Sequence, residues 1–310
     1  MVNKYLINKI FYIIRRMAKE SKNFKIMSMN LWFTNSGSGW KDLNKGNAPW
    51  SKRIPIIQNI IKKLDPDVIC FQEVLMKKDV LDMLSDIFGP VETSEYKHRI
   101  FQKTIYFWLD HSYDYGNAMI SKTPIHKPEE VYLPYHYNIE NSMPRGFMSG
   151  LVSVDGVGKY LIGNTHLNHR SDHAETRLLQ SVVISKTIKD RVKKSKPAGV
   201  VLCGDFNAKP LEASILFLKG MFPVNGISTH FIDSWEFKHP DKPGYTWSSK
   251  NTNINMYDSN ERFDYIFVSE YQPNGVGLIE KVELVGNVPT NGIFPSDHFG
   301  LFVVINTKPK

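Results

Sequence analysis

The chain has 310 residues, of which 42% are hydrophobic and 23% are charged, and its formal net charge is +8. This composition is typical of a soluble globular protein, and no apolar run reaches the roughly 18 residues that a membrane-spanning helix needs. The positive charge favours an anionic partner such as nucleic acid or a lipid surface, although a Lys-rich composition alone also produces such a charge.

Residues 1–23 are predicted to form a basic amphipathic extension. Apolar and basic residues alternate there, and no acid precedes Glu20. Lys9 interrupts the apolar stretch and no small-residue cleavage site follows, so a secretory signal is not expected. The segment suits peripheral contact of residues 1–22 with a membrane, or organelle targeting. It equally suits a helix packed on the domain or a frayed terminus.

Hydrophobic periodicity predicts the elements that follow. The first strand ends at Asn30, a helix covers 51–64, and a second strand covers 67–73. A helix is indicated near 80–88, a short strand over 116–121, and a hairpin over 145–154 and 159–166. The rest of the chain is predicted to contain further helices and strands: helices over 177–194 and 213–218, and strands over 200–203, 262–268 and 301–305.

Four loop regions separate these elements, and they carry many aromatic residues interleaved with Lys and Arg. That composition suits stacking on bases and pairing with phosphates, and it equally suits ordinary loop packing. Strands and helices are interleaved without an internal repeat, which predicts a single α/β or α+β domain over 24–308. The four loop regions are 34–50, 92–115, 122–144 and 235–260.

The two cysteines, Cys70 and Cys203, both lie inside apolar, strand-like runs. We interpret them as buried free thiols rather than as a disulfide or a metal-binding pair. Because such usage is typical of a reducing compartment, we expect an intracellular, cytoplasmic protein, unless the basic N-terminus directs it to a membrane or an organelle.

The predicted strand over 200–203 runs directly into Gly204, Asp205, Phe206 and Asn207. Glycine permits a sharp turn where the strand leaves the core, and the two polar side chains, two residues apart, could point the same way. A buried strand that presents a carboxylate and an amide at its end is one way to build a phosphate-handling site. The plain alternative is a polar turn after a core strand.

Polar residues also follow the other predicted strands. One such strand end means little, but six ends with metal-ligand and acid/base residue types indicate a shared site. The six ends carry Asn30, Gln72-Glu73, His166, Asp205 with Asn207, Asp264, and Asp297-His298.

The ordered motifs resemble the endonuclease/exonuclease/phosphatase superfamily, over about residues 25–305. The resemblance implies an α+β fold, a DNase I-like four-layer α/β/β/α sandwich of two packed mixed sheets, with the site at one end where strand termini converge. The motifs are Asn30-Leu31-Trp32, Phe71-Gln72-Glu73-Val74, Asn164-Thr165-His166-Leu167, Gly204-Asp205-Phe206-Asn207, Arg262-Phe263-Asp264-Tyr265 and Ser296-Asp297-His298.

The resemblance implies a metal site formed by Asn30, Glu73 and Asp297. A divalent cation can neutralise the charge of a phosphodiester and the charge that develops during its transfer. Mg²⁺ prefers oxygen ligands, so Mg²⁺ is the expected cofactor, and Mn²⁺ is expected to substitute for it.

By the same resemblance, Asp205 orients or deprotonates the attacking water, and Asn207 donates its amide to a phosphate oxygen. His298, held by Asp264 through its other ring nitrogen, contacts the scissile phosphate. A carboxylate partner favours the charged imidazolium, which stabilises growing negative charge. His166 is expected on the opposite side as a second phosphate contact.

Two further residues, Arg145 and Asn117, resemble substrate-binding positions of parts of the family. One departure is Trp32, which stands where some abasic-site and tyrosyl-DNA enzymes carry a second acid; this weakens assignment to those branches or reduces the number of metal ligands. Five other histidines are interpreted as surface residues: His126, His136, His169, His173 and His230.

The sequence therefore predicts a Mg²⁺-dependent phosphodiester hydrolase that acts on nucleic acid as a monomer. The net charge of +8 supports a nuclease or another nucleic-acid phosphodiesterase. The alternative is a phosphodiesterase or phosphatase of phospholipid headgroups, similar to sphingomyelinases or phosphoinositide phosphatases, which the basic N-terminus favours. A catalytically inactive binding module is a third reading, against which the intact acids and histidines argue.

Overall fold

The computed structural model describes residues 23–32, 48–77, 81–104, 114–135 and 144–309. These residues form thirteen strands and five helices. The first elements are β1 (Phe24–Asn30), α1 (Trp50–Leu64), β2 (Val68–Lys77), β3 (Leu81–Asp82), α2 (Met83–Phe88), β4 (His98–Thr104), β5 (Asp114–Ser121) and β6 (Ile125–Leu133). The later ones are β7 (Arg145–Val154), β8 (Gly158–His166), α3 (Ala174–Ser195), β9 (Gly199–Asp205), α4 (Ala213–Leu218), β10 (Ile232–Asp233), α5 (Ser234–Lys238), β11 (Asp264–Val268), β12 (Ile279–Val285) and β13 (Gly300–Ile305).

The strands form two mixed sheets. The first has the order β12-β13-β1-β2-β5-β4, with the short β3 added to β2, and the second has the order β10-β11-β9-β8-β7-β6. Each sheet contains one parallel pair near its centre, β1 with β2 in the first and β8 with β9 in the second. Because parallel strands end at the same edge, the carboxyl ends of these four strands can supply one shared site.

Strand alternation separates three layers of core. On β2, Val68 and Cys70 pack between the sheets, whereas Ile69 and Phe71 pack against α1 and α2. β9 repeats the pattern, since Val201 and Cys203 belong to the central layer and its other apolar residues pack against α3 and α4. This is the expected two-residue period of strands buried on both faces, and it produces the predicted α/β/β/α sandwich. Both cysteines are buried free thiols.

The sequence missed several strands. β4 and β6 lie within regions that were predicted as loops, and β12 was not predicted. Most of β6 is exposed and contains Pro128, as an edge strand can, so its sequence lacks the hydrophobic alternation of a half-buried strand. The helix indicated near 80–88 is also shorter than predicted and begins at Met83. The side chain of Asp82 accepts from the backbone amides of Leu84 and Ser85 and so caps the helix, and residues 81–82 form the short strand β3.

The described residues include no helix that is both long and apolar enough to cross a membrane. Residues 1–22 lie outside the described residues, so the amphipathic character of the N-terminal extension remains a prediction. Most of the predicted loop over 34–50 also lies outside them, as do parts of the loops over 92–115 and 122–144.

Candidate active site

A cavity of about 850 Å³ opens where the strand ends of the two sheets meet. Seven of the ten side chains predicted for the site line this cavity: Glu73, Arg145, His166, Asp205, Asn207, Asp297 and His298. The other three, Asn30, Asn117 and Asp264, are buried behind it and contact residues of the wall or its supporting strands. The structure therefore brings residues from six separate motifs into one place.

The register of the second sheet places three of these residues side by side. His166 of β8 pairs with Asp205 of β9, and Asp205 pairs with Asp264 of β11. Gly204 allows this arrangement, because a Cβ at that position would lie 2.2 Å from the carbonyl oxygen of Thr165. The sequence suggested that Gly204 starts a turn. Instead it lies within β9, where the lack of a side chain lets β8 approach closely.

Asp205 is surrounded by groups that fix both carboxylate oxygens. Asn30 donates to Oδ2 at 3.0 Å, and the backbone amide of Asn207 donates to Oδ1 at 2.9 Å. The Nε2 atoms of His166 and His298 lie 3.4 and 3.7 Å from Oδ2. Burial raises the pKa of Asp205 to about 7, and Asp264 adds to the rise, whereas His298 opposes it. A carboxylate with such a pKa suits proton transfer near neutral pH.

His298 and Asp264 form a buried pair. Nδ1 of His298 lies 2.8 Å from Oδ2 of Asp264, which leaves Nε2 directed toward Asp205 and the cavity. Burial alone lowers the pKa of His298, but the two carboxylates outweigh this effect and hold its pKa well above the ordinary value. His298 is therefore an imidazolium at neutral pH and can donate a proton or a hydrogen bond to an anion.

His166 is neutral at pH 7, unlike His298. Its Nδ1 lies 3.0 Å from Nη1 of Arg145, and because a guanidinium only donates, Nδ1 accepts and the proton of the neutral ring is on Nε2, which faces Asp205. Burial and the charge of Arg145 hold the pKa of His166 well below its ordinary value. His166 is thus a neutral hydrogen-bond donor, and Arg145 is the fixed cation on this side of the cavity.

Glu73 reaches the cavity because the backbone of β2 is irregular. Phe71 pairs with Ala118 and Val74 pairs with Gly116, so two residues of β2 face Asn117 alone. This β-bulge places Glu73 in the left-handed region with φ = 57°. Such bulges redirect a side chain relative to the regular pleat, and here the redirected group is a carboxylate.

Buried amides hold the bulge and the adjoining strands. Asn164 of β8 donates to the carbonyl oxygens of Phe71 and Ala118 at 2.9 Å each, and its Oδ1 accepts from Gln72 at 2.8 Å. Asn117 donates to the carbonyl oxygen of Gly146 at 3.1 Å. Asn117 therefore connects β5 to the strand that carries Arg145, and the described structure does not place it on the cavity wall.

Asp297 belongs to the turn that precedes β13. Asn251 donates to the carbonyl oxygens of Ser296 and Asp297 at 2.8 and 2.9 Å, which fixes the turn. Burial raises the pKa of Asp297 to about 7; His298 opposes the rise and the charge of Glu73 adds to it. A carboxylate whose pKa is raised by a neighbouring carboxylate is suited to share a cation with it.

The charged side chains of the cavity wall indicate whether a metal ion fits the site. Five carboxyl groups line the cavity, together with only two guanidinium groups and the imidazolium of His298. An anionic substrate is repelled by this balance unless a cation adds positive charge. The carboxylate donors Glu73 and Asp297 are hard oxygen ligands, which suit a divalent cation.

A second cluster in the described residues, Asp205, Asp264 and His298, places one ligand atom of each residue within 4.8 Å of the others. A metal bound by Nδ1 of His298 would have to break its 2.8 Å bond to Asp264. The cluster is also fully formed without a cation, since Asp205 is bonded to Asn30 and Asn207. The cavity pair Glu73 and Asp297 is therefore the better candidate metal centre.

Sequence reasoning missed part of the site. His169, interpreted as a surface residue, is exposed but accepts from Nη2 of Arg145 through Nδ1 at 3.3 Å and lines the cavity. His173 is buried, with Nδ1 3.2 Å from Oδ1 of Asn168, so its interpretation as a surface residue was wrong. Trp247 packs edge-on against His298, with ring centroids 4.9 Å apart, and forms an aromatic wall with Phe263.

The two packed sheets, with an acid- and histidine-lined cavity at their strand ends, place the chain in a known family. The model of the endonuclease/exonuclease/phosphatase family matches residues 27–298, which covers most of the chain. The chain belongs to this family, as the ordered motifs indicated, and its fold is the DNase I-like sandwich.

The chain is also similar to individual proteins over most of its length. Tyrosyl-DNA phosphodiesterase 2 of Mus musculus is 25% identical over 246 residues, 78% of this chain and 58% of that protein. The chain thus spans a little over half the length of this relative. The structure of TDP2 from D. rerio complexed with single-strand DNA product matches with a TM-score of 0.67 at 21% identity, covering 92% of this chain and 99% of that one. The human nocturnin catalytic domain with bound sulfate matches with a TM-score of 0.67 at 17% identity, covering 92% and 95%.

Proposed function

We propose that this protein is a Mg²⁺-dependent phosphodiesterase that hydrolyses nucleic acid. The observation that carries the proposal is the geometry around Asp205, which lies between a charged His298 and a neutral His166. Asp264, 2.8 Å from His298, maintains the charge on the first ring. This arrangement combines a carboxylate that accepts a proton with a fixed positive donor, as the hydrolysis of a phosphate ester requires.

Five side chains of the cavity wall bind the phosphate or act on the attacking water in this proposal. Asp205 orients the attacking water and accepts its proton, and its buried position keeps that water in one orientation. His298 donates through Nε2 to a phosphate oxygen as negative charge grows. Asn207 uses one amide hydrogen on the carbonyl of Leu167 at 3.2 Å, which leaves the other for a phosphate oxygen. Arg145 and His166 bind the phosphate from the opposite side.

Glu73 and Asp297 are the residues that would hold Mg²⁺, and Asn30 is the third predicted ligand. When bound, the cation neutralises the charge of the phosphodiester and stabilises the developing oxyanion. Asn30 is 1% exposed, its Nδ2 bonds Asp205, and its Oδ1 accepts from the backbone amide of Trp32 at 2.8 Å. Its oxygen keeps a second lone pair, so this bond does not exclude it as a ligand.

The cavity walls support a single-stranded nucleic acid as the substrate. Trp247 and Phe263 offer half-buried aromatic faces on one side, and Arg145 lies on the other. Bases stack on such aromatic faces, and a guanidinium pairs with the backbone. The names of two similar proteins also favour a nucleic-acid substrate. One is a tyrosyl-DNA phosphodiesterase, and the other is TDP2 in complex with a single-strand DNA product.

A substrate panel tests the proposal. The purified protein is incubated with Mg²⁺ and, separately, single-stranded DNA, the same DNA with a 5′-tyrosyl phosphodiester, RNA, sphingomyelin vesicles and inositol phosphates. We expect cleavage of nucleic-acid substrates, and none by the Asp205→Asn variant. Cleavage restricted to sphingomyelin or inositol phosphates would instead establish the headgroup alternative.

A further inference from the structure

Arg53 is a fully buried arginine on α1 that the reaction proposed above does not use. Its guanidinium donates to three backbone carbonyl oxygens. Nη1 bonds the carbonyl of Leu31 at 2.7 Å and that of Pro295 at 3.1 Å, and Nη2 bonds the carbonyl of Trp32 at 3.3 Å. One side chain thus joins three segments that are distant in sequence.

These carbonyls flank two of the three predicted metal ligands. Leu31 and Trp32 directly follow Asn30, and Pro295 lies two residues before Asp297. The ladder between β1 and β13 ends at the pair of Ser28 with Leu301. Beyond that pair no strand pairing joins the two segments within the described residues, and Arg53 makes the connection instead.

Neighbouring rings hold the guanidinium in place. Its central carbon lies 5.1 Å from the ring centroid of Trp32 and 5.0 Å from that of Trp50. Trp50 is in turn fixed, because its Nε1 donates to Asp86 at 2.8 Å. A planar cation between two rings has little freedom, so the spacing of the three carbonyls is set.

The charge of Arg53 also acts on the site. Burial lowers its pKa to about 10, and the charges of Asp297 and Glu73 oppose this shift. Arg53 therefore remains positive at neutral pH. A fixed positive charge near the two carboxylates reduces their mutual repulsion.

We infer that Arg53 is a positioning residue for the metal centre, which holds the segments of Asn30 and Asp297 at the separation that a divalent cation requires. The inference rests on the proposed function, because it assumes that these residues bind the metal. Mg²⁺ demands near-ideal octahedral geometry, so a change in ligand separation weakens binding rather than being absorbed by the site. Residues that orient metal ligands typically contribute about 10–100-fold to metal affinity.

Two substitutions separate the hydrogen bonds of Arg53 from its charge. Arg53→Met removes both, and Arg53→Lys keeps the charge but replaces the planar fork by a single ammonium that cannot serve all three carbonyls in the same way. We expect the Kd for Mn²⁺ to rise at least about tenfold in both variants. A Kd that returns to the wild-type value in Arg53→Lys shows that charge alone matters, and it overturns the positioning role.

Metal binding is measured without substrate, by electron paramagnetic resonance of free Mn²⁺ during titration of the apoprotein. Circular dichroism and the Tm of each metal-free variant show whether it folds. Trp32→Leu removes one of the rings that hold the guanidinium but retains Arg53 itself. Trp32→Leu is expected to weaken Mn²⁺ binding several-fold. It replaces the two Arg53 variants as the test if both of them fail to fold.

Arg191 provides a matched control. It is also a buried arginine on a helix, and it bonds Glu129 at 2.9 Å and the carbonyl of Lys127 at 2.6 Å, both on β6. Arg191→Met is expected to lower the Tm but to leave the Kd for Mn²⁺ unchanged. An equal loss of affinity in this control shows that any buried arginine has the same effect, and it overturns the inference.

The outcomes also distinguish this inference from the proposed function. Folded Arg53 variants that bind Mn²⁺ like the wild type contradict the positioning role and leave the proposed function intact. Another outcome is a wild type that binds Mn²⁺ more tightly than the Arg53 variants and yet cleaves no nucleic acid. That result supports the inference and contradicts the proposed function. A wild type that does not bind Mn²⁺ contradicts both.

Discussion

The two halves of the site are built differently. The half from the second sheet uses regular strands, since His166, Asp205 and Asp264 occupy neighbouring positions of one hydrogen-bonded ladder. The half from the first sheet uses irregular backbone: Glu73 lies in a bulge, and Asp297 lies in a turn. The ladder sets the spacing of these three side chains, whereas Glu73 and Asp297 depend on side chains that hold irregular segments.

The largest losses are expected at Asp205 of the ladder and at His298, which faces Asp205 from the turn that also carries Asp297. Asp205→Asn and His298→Ala are each expected to lower kcat by at least about 100-fold, because the first removes the proton acceptor and the second removes the positive donor. Additional metal is not expected to restore activity. Single-turnover rates at saturating Mg²⁺ measure this effect, and near-wild-type turnover would remove either residue from the mechanism.

Glu73→Gln is expected to behave differently, because the loss falls on metal affinity. The neutral amide is a weaker ligand than the carboxylate, so the Mg²⁺ concentration for half-maximal activity rises at least about tenfold. Activity is expected to recover in part at high Mg²⁺. A lower kcat with an unchanged metal requirement would place Glu73 in the catalytic group instead.

A smaller effect is expected for Asn251→Ala, which removes two hydrogen bonds that hold the turn of Asp297. We expect the Mg²⁺ concentration for half-maximal activity to rise several-fold, with kcat nearly unchanged. Asn306→Ala is the control, because this buried Asn bonds the carbonyls of Gly275 and Lys308, past the other end of β13. Equal effects of the two substitutions would indicate a general loss of stability.

The smallest effect on catalysis is expected from deletion of residues 1–22, which precede β1. Hydrolysis of a small soluble substrate should be unchanged. If the extension contacts membranes, as its basic and apolar pattern suggests, deletion should weaken binding to anionic vesicles in a flotation assay. Unchanged vesicle binding would dismiss that role.

The sequence was most informative where strands are buried on both faces. The apolar runs of β2 and β9 and the polar residues after them were recognisable, and so the residues of the ladder could be named in advance. The edge strand β6 was missed because its exposed residues have no periodicity. Strand alternation also could not reveal the bulge at Glu73, which depends on pairing with β5.

The supporting contacts were beyond the reach of the sequence for a different reason. Arg53 sits in an amphipathic helix pattern, where a charged residue is expected to face solvent, yet it is fully buried. Asn117 resembled a residue that binds substrate, but its amide bonds the backbone of β7. In both cases the partners are carbonyl groups of distant segments, which no local pattern contains.

Hydrolysis of phosphodiesters by this site is proposed to need a divalent cation. The decisive measurement is hydrolysis of bis-p-nitrophenyl phosphate after EDTA treatment and again after addition of excess Mg²⁺ or Mn²⁺. We expect no turnover in EDTA and full recovery when the metal is added. Turnover that survives EDTA, or a lack of turnover with both Mg²⁺ and Mn²⁺, would show that the site does not work in this way.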